Sequence, residues 1–250
     1  MNPPFDEPST QLFNAARGRF VSELLRELKS HREYETGLDA GCGFGYFAQC
    51  LSEAGLTVTA FDGRAENIAE AKRRSPEVSF HVSNVEDPAV RDLGRFDVVS
   101  CLGLLYHLEN PFVAVRNIAA LTGKVLIVES VVAPLRTPAA VLYQEDEDID
   151  QGLNYVAFIP SESWLVKVLY LAGLEHVYRP VELPDHSEFR GTAAKRRRRT
   201  VLVASRRPLE LESLLPAAQP RIRKHIWDVV PVFESDRVRS AVKALRGRRE

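Results

Sequence analysis

Three short stretches hold residue types whose spacing could do chemistry. In Asp39-Ala-Gly-Cys-Gly-Phe-Gly45 an acid stands two residues before three alternating glycines, Gly41, Gly43 and Gly45. Thr36 to Ala40 reads as a buried strand, and Phe44, Phe47, Ala48, Leu51 and Ala54 recur at helical spacing, so strand passes to helix through the glycines. Such a turn suits a nucleotide: glycines let a ligand approach without meeting a Cβ, and the helix start offers free N–H groups. A second acid, Asp62, follows the β-rich run Leu56 to Phe61 and precedes Gly63 and Arg64. A carboxylate about twenty residues past the first glycine is placed to accept the two hydroxyls of a ribose. The third stretch, Leu102-Gly-Leu-Leu-Tyr-His-Leu-Glu-Asn-Pro111, leaves the strand Phe96 to Cys101 and carries His107. An imidazole can take a proton near neutral pH, or it can simply brace its loop.

The glycine spacing separates two cofactors. A dinucleotide fingerprint reads G-x-G-x-x-G and leaves the helix start open to a pyrophosphate. Here it reads G-x-G-x-G, and Asp39 would repel a pyrophosphate but could hold an ammonium group. S-adenosylmethionine (SAM) has an ammonium, a sulfonium and no phosphate. The stretch resembles motif I of the class I SAM-dependent methyltransferases, and Leu-Tyr-His after the fourth strand resembles a loop of bacterial methyltransferases, including the family that carboxymethylates the wobble uridine of tRNA. The resemblance covers residues 36–205. It implies a cofactor wall of Asp39, Gly41, Cys42, Gly43, Gly45, Asp62, Gly63, Arg64, Cys101, Leu102 and Tyr106, with His107 facing the acceptor as the catalytic residue. It also implies that Asn84 or Glu86 accepts from the adenine amine while Val85 packs on the ring.

The elements that must position these residues alternate along the chain. From Ser9, a candidate N-cap, Leu12, Phe13, Ala16, Phe20, Val21, Leu24, Leu25 and Leu28 make an amphipathic helix, on which Arg17 and Arg19 could reach the carboxylate of SAM. Further strands are expected at Val78–Val82 and Lys124–Val128, and helices at 64–74 and, capped by Asn110 with Val113, Ala114, Ile118 and Leu121 inward, at 111–121. After a helix capped by Ser161, the runs 174–179 and 200–205 join without a helix, an antiparallel finish that a dinucleotide enzyme lacks. The expected fold is an α/β, Rossmann-like, doubly wound sheet of seven strands, mostly parallel with an antiparallel last strand and flanked by helices. The chain divides into an N-terminal helix (1–35), the methyltransferase domain (36–205) with a lid insert (131–160), and a basic C-terminal extension (206–250). The acidic run Glu145 to Asp150 in the lid lacks the spacing of a calcium loop and reads as solvated. So does the loop Lys195-Arg-Arg-Arg-Arg199.

Composition bounds the partners. A hydrophobic share of 45% and a charged share of 27% suit one globular domain, and no apolar run approaches a membrane span. The N-terminus lacks the basic and apolar regions of a signal peptide, and Cys42, Cys50 and Cys101 lack metal or disulfide spacing, so a cytoplasmic, metal-free protein is expected. Residues 190–250 carry 17 Lys and Arg against 6 Asp and Glu, whereas residues 1–189 carry 16 against 28. This asymmetry fits either a basic tail held by an acidic body or an RNA partner. The expected reaction is methyl transfer from SAM to a hydroxyl or amine of a small molecule or sugar. The alternatives are an RNA methyl- or carboxymethyltransferase, a dinucleotide oxidoreductase and a non-catalytic SAM-binding subunit.

Overall fold

The computed structural model describes residues 3–190 and 198–220. The basic extension from residue 221 on, in which Trp227 and Phe233 are expected to dock and a basic helix is expected over 235–246, lies outside them, as do Lys195, Arg196 and Arg197.

Helix α1 (Pro8–His31) begins at a proline, which suits a first helical turn where the N–H has no partner, so Ser9 is inside the helix rather than its cap. Strand β1 (Thr36–Ala40) leads through the glycine turn into α2 (Tyr46–Glu53); β2 (Thr57–Asp62) leads into α3 (Ala65–Arg74). Strand β3 (Ser79–Val82) is followed by a 3-10 turn (Pro88–Leu93) where a helix was expected, because only a few residues separate Pro88 from β4 (Phe96–Leu102). Helix α4 (Pro111–Leu121) feeds β5 (Thr122–Val131). The lid insert folds into an antiparallel hairpin, β6 (Ala140–Gln144) and β7 (Val156–Pro160). Ser161 caps α5 (Glu162–Leu171) by accepting the Trp164 N–H at 3.1 Å, as its position before an apolar run predicts. Strands β8 (His176–Pro180), β9 (Arg199–Ser205) and β10 (Leu214–Pro216) close the described chain.

The main sheet has the order β10-β8-β9-β5-β4-β1-β2-β3. Strands β1 to β5 are parallel, and β9 runs antiparallel between β5 and β8. This is the expected doubly wound sheet with an antiparallel finish. It has eight strands rather than seven because β10 pairs with the edge strand β8 and buries Leu214 and Ala217, so part of the expected C-terminal extension completes the sheet.

Alternation within the strands makes two cores. Val98, Val125, Ile127, Val201 and Val203 pack against α1, α2 and α3. Val99, Leu126, Val128, Leu202 and Ala204 pack against α4 and α5 on the other face. Two residues expected inward, Leu12 and Val113, are exposed at the margins of their helical stripes. The strand order reverses between β1 and β4, and open α/β sheets open a ligand crevice outside the carboxyl ends of strands at such a point.

Candidate active site

A cavity of about 560 Å³ opens at that crevice. Its floor is the glycine turn. The N–H groups of Gly41 and Cys42 both donate to the Phe61 carbonyl, at 2.9 and 3.0 Å, and the Gly43 N–H donates to Asp62 Oδ2 at 2.9 Å. Gly43 has φ +51°, and a Cβ there would lie 2.8 Å from the ring of Phe5, so both backbone and space require glycine. Asp62 also accepts from the Arg64 N–H (2.9 Å) and from Asn67 Nδ2 (3.1 Å). Its carboxylate therefore ties the ends of β1 and β2 together while facing the cavity.

Gly41, Cys42, Gly43, Asp62, Gly63, Arg64, Asn84, Val85, Leu102, Tyr106 and His107 all line this one cavity. Four other expected wall residues do not. Asp39 is buried beneath the turn, where Ser100 Oγ donates to its Oδ1 at 2.7 Å and its Oδ2 has no hydrogen-bond partner. Burial raises its pKa to about 6 despite the opposing Ser100 bond. Gly45 is the residue before α2, under Phe80. Cys101 points into the opposite core, where burial pushes its thiol well up. Glu86 turns away to accept the Asn110 N–H at 2.5 Å, capping the start of α4 that Asn110's own side chain leaves uncapped. Of the two residues proposed for the adenine amine, only Asn84 reaches the cavity.

The opposite wall is built from distant segments. His107 Nδ1 makes a short hydrogen bond to Glu145 Oε1, and Glu145 Oε2 accepts the Gly152 N–H at 2.8 Å. Glu145 is 7% exposed, so the acidic run is not uniformly solvated: its first residue turns inward from the end of β6. Burial works to raise the Glu145 pKa, but the bond and charge of His107 and the Gly152 amide outweigh it and hold the carboxyl below its ordinary range. An ionised Glu145 on Nδ1 keeps the proton there and leaves Nε2 as the basic nitrogen. Tyr106 packs on His107, with ring centroids 4.1 Å apart.

Beside this pair, Glu129 at the end of β5 is 1% exposed and accepts from two guanidiniums, Arg17 Nη1 at 2.7 Å and Arg199 Nη1 at 2.9 Å. Arg199 also donates to the Tyr106 hydroxyl at 3.0 Å, and both arginines lie over the Phe13 ring. Two cations on one buried carboxylate leave a positive balance on this wall. The last arginine of the basic loop is thus part of the cavity, and its neighbour Arg198 sits 3.6 Å from Glu188, so this end of the loop is drawn onto the protein. Arg17 faces the cavity as its helical position allowed, whereas Arg19 is exposed.

Residues 38–124 match a family model described as a methyltransferase domain. This chain contains a class I SAM-dependent methyltransferase domain. A ubiquinone biosynthesis O-methyltransferase from Xanthomonas campestris pv. campestris is 36% identical over 109 residues, covering 41% of this chain and 44% of that protein. The chain therefore spans less than half the length of this curated relative. The N-terminal domain of EvdMO1, crystallised with S-adenosylhomocysteine (SAH), superposes with a TM-score of 0.60 at 22% identity, over 78% of this chain and 81% of that one. CalS10, an amino pentose methyltransferase from Micromonospora echinaspora, superposes with a TM-score of 0.55 at 19% identity, over 78% of this chain and 97% of that one. At these identities the two structures speak for the fold.

SAM is the cofactor of such domains, and the residues of this methyltransferase domain fit it. Gly41 and Gly43 line the cavity with backbone alone, Asp62 presents a carboxylate at the second strand end, and Asp39 has a buried oxygen that lacks a donor. Among the described residues no group of His, Cys, Asp and Glu could hold a metal ion, and no helix is long and apolar enough to cross a membrane.

Sequence reading missed Glu145, Glu129 and Arg199 as site residues, along with Phe5, whose 3-10 turn (Pro4–Asp6) lies over the glycines. Glu129 carried a usable signal, an acid at the carboxyl end of a central strand. Glu145 was indistinguishable from the four other acids of the run, Asp146, Glu147, Asp148 and Asp150.

Proposed function

We propose that this chain transfers a methyl group from SAM to a hydroxyl oxygen of a small acceptor, with His107 as general base. The observation that carries this reading is the His107–Glu145 pair, set in the same cavity as the glycine turn and Asp62. In this reading the glycine turn receives the amino-acid end of SAM, Asp62 accepts the ribose hydroxyls, and Asn84 and Val85 meet the adenine. Asp39 favours the ammonium through the turn, and the surplus cation of the Arg17–Glu129–Arg199 cluster favours a carboxylate.

SAM when bound supplies an activated methyl on a sulfonium. The protein must hold the acceptor oxygen in line and remove its proton. His107 Nε2 takes that proton as the O–CH₃ bond forms and the methyl's bond to sulfur breaks, its electron pair staying on the sulfur of SAH, and Glu145 steadies the imidazolium that results. The proton then leaves to solvent through the cavity. An amine already neutral at the working pH needs no base, so the pair favours a hydroxyl. Relatives named for O-methyl transfer support the same choice. Incubation with methyl-labelled SAM and cell extract, followed by fractionation, tests the assignment. Label in a small molecule, released as a methyl ether, is the expected outcome. Label confined to RNA or protein would overturn the acceptor class, and no transfer at all would overturn the enzyme reading.

A further inference from the structure

The lid is fastened to the turn after β2 by a set of bonds that the methyl-transfer reading leaves unused. Arg64 Nη2 donates to the carbonyls of Gly152 at 3.0 Å, Asp148 at 3.4 Å and Gln151 at 3.4 Å. Asn67, 2% exposed, donates from one Nδ2 both to Asp62 Oδ1 and to the Ile149 carbonyl, the latter at 3.4 Å. Leu153 lies against Gly63 so closely that a Cβ there would be 2.8 Å away. The same lid segment reaches the other wall: the Gly152 N–H binds Glu145, whose second oxygen binds His107. Gly152 is wedged so tightly that a Cβ there would collide with the His107 carbonyl oxygen.

We propose that Arg64 is a positioning residue: by gathering the carbonyls of residues 148, 151 and 152 onto the β2 turn, it holds Glu145 against His107, so the base is aligned only while the lid is seated beside the cofactor. This rests on the reading of His107 as the base. All three bonds leave one nitrogen, Nη2, whose two N–H groups are shared among the carbonyls, with Gly152 the nearest. The sequence assignment of Arg64 to the cofactor wall thereby gains a second role. Its side chain lines the cavity, yet the hydrogen bonds of its guanidinium go to the lid. Contact order along the route is Arg64, Gly152, Glu145, His107, with a hydrogen bond at each step.

Histidine-selective ¹⁵N spectroscopy of the full chain saturated with SAH reads this link without an acceptor. In the wild type His107 is expected to carry its proton on Nδ1. Arg64→Gln is expected to lose that signature and give mixed tautomers. Gly152→Ala breaks the same link from the lid side and is expected to give the same spectrum, which covers the case in which Arg64→Gln does not fold. A folded Arg64→Gln or Gly152→Ala protein that retains the Nδ1–H tautomer overturns the proposal. So does retention of that tautomer in Glu145→Ala, which leaves Nδ1 without its acceptor, because Glu145 would then not be the route. Failure of the base reading appears elsewhere: His107→Gln would turn over an identified acceptor at full rate while the tautomer results stood.

Discussion

The glycine-turn wall and the His107 wall of the cavity are assembled over different distances. Gly43, in the turn after β1, and Asp62, at the end of β2, stand 19 residues apart, and their bond closes within one strand-helix-strand unit. On the facing wall, Glu129 meets Arg17 across 112 residues and Arg199 across 70, while His107 meets Glu145 across 38. The first wall offers backbone N–H groups and one carboxylate, which suit a cofactor common to a whole family. The second consists of paired charged side chains on a lid, a strand end and a helix, each free to vary without disturbing the turn. The glycine-turn wall is thus closed by local sequence and the His107 wall by long-range packing.

Breaking the turn should have the largest effect. Gly43→Val would place a branched side chain where φ is +51° and Phe5 is already in contact, so binding of SAH measured by calorimetry is expected to be lost, more than about a hundredfold. Near-normal affinity in a folded protein would show that the ligand does not approach this backbone.

The His107 wall should fail differently, in turnover and not in cofactor affinity. His107→Ala is expected to lower kcat by at least about a hundredfold, with His107→Gln nearly as damaged, while SAH binds as before. Glu145→Gln removes the charge that holds the Nδ1 proton, and a loss of roughly ten- to a hundredfold in kcat is expected. If either variant mainly weakens SAH binding, the two walls do not divide the work as described.

Asp62→Ala tests the joint between the walls and the ribose. Loss of a charged acceptor for two hydroxyls should weaken binding by about 1.4 to 2 kcal/mol, roughly ten- to thirtyfold. Because Asp62 also holds the Gly43 N–H, the thermal midpoint is expected to fall as well. Unchanged affinity would remove it from the site.

The smallest effect concerns Asp39, whose carboxyl is raised to about 6 by burial. Since its folded pKa lies above the unfolded one, the free protein binds more protons than the unfolded chain between about pH 4 and 6. Stability from this group is therefore lost as pH rises through that window. An ammonium at the turn favours the ionised form, so SAH affinity is expected to rise with pH up to about 6, by at most about tenfold per unit, with release of a proton. Calorimetry in buffers of different ionisation enthalpy measures that proton, and Asp39→Asn should abolish both the release and the pH slope.

Local spacing was enough to read β1, the glycine turn, Asp62, the Leu-Tyr-His loop and the antiparallel finish, because each depends on neighbours within one turn or one strand. Burial of individual side chains was not readable in the same way. Glu86 and Asn84 look equivalent in a polar turn, yet only the packing of α4 sends one to the Asn110 amide and the other to the cavity. Glu145 and Arg199 look like solvated members of charged runs, and tertiary structure turns them inward because His107, Glu129 and Tyr106 offer partners that offset the desolvation of a buried charge. The sequence by itself determined the doubly wound sheet and the family's cofactor turn, since hydrophobic period and glycine conformation act over a few residues. Which charges face the cavity was decided only when the lid, α1 and β9 met at the sheet's carboxyl edge, since electrostatic pairing takes partners by proximity in space and not by order in the chain.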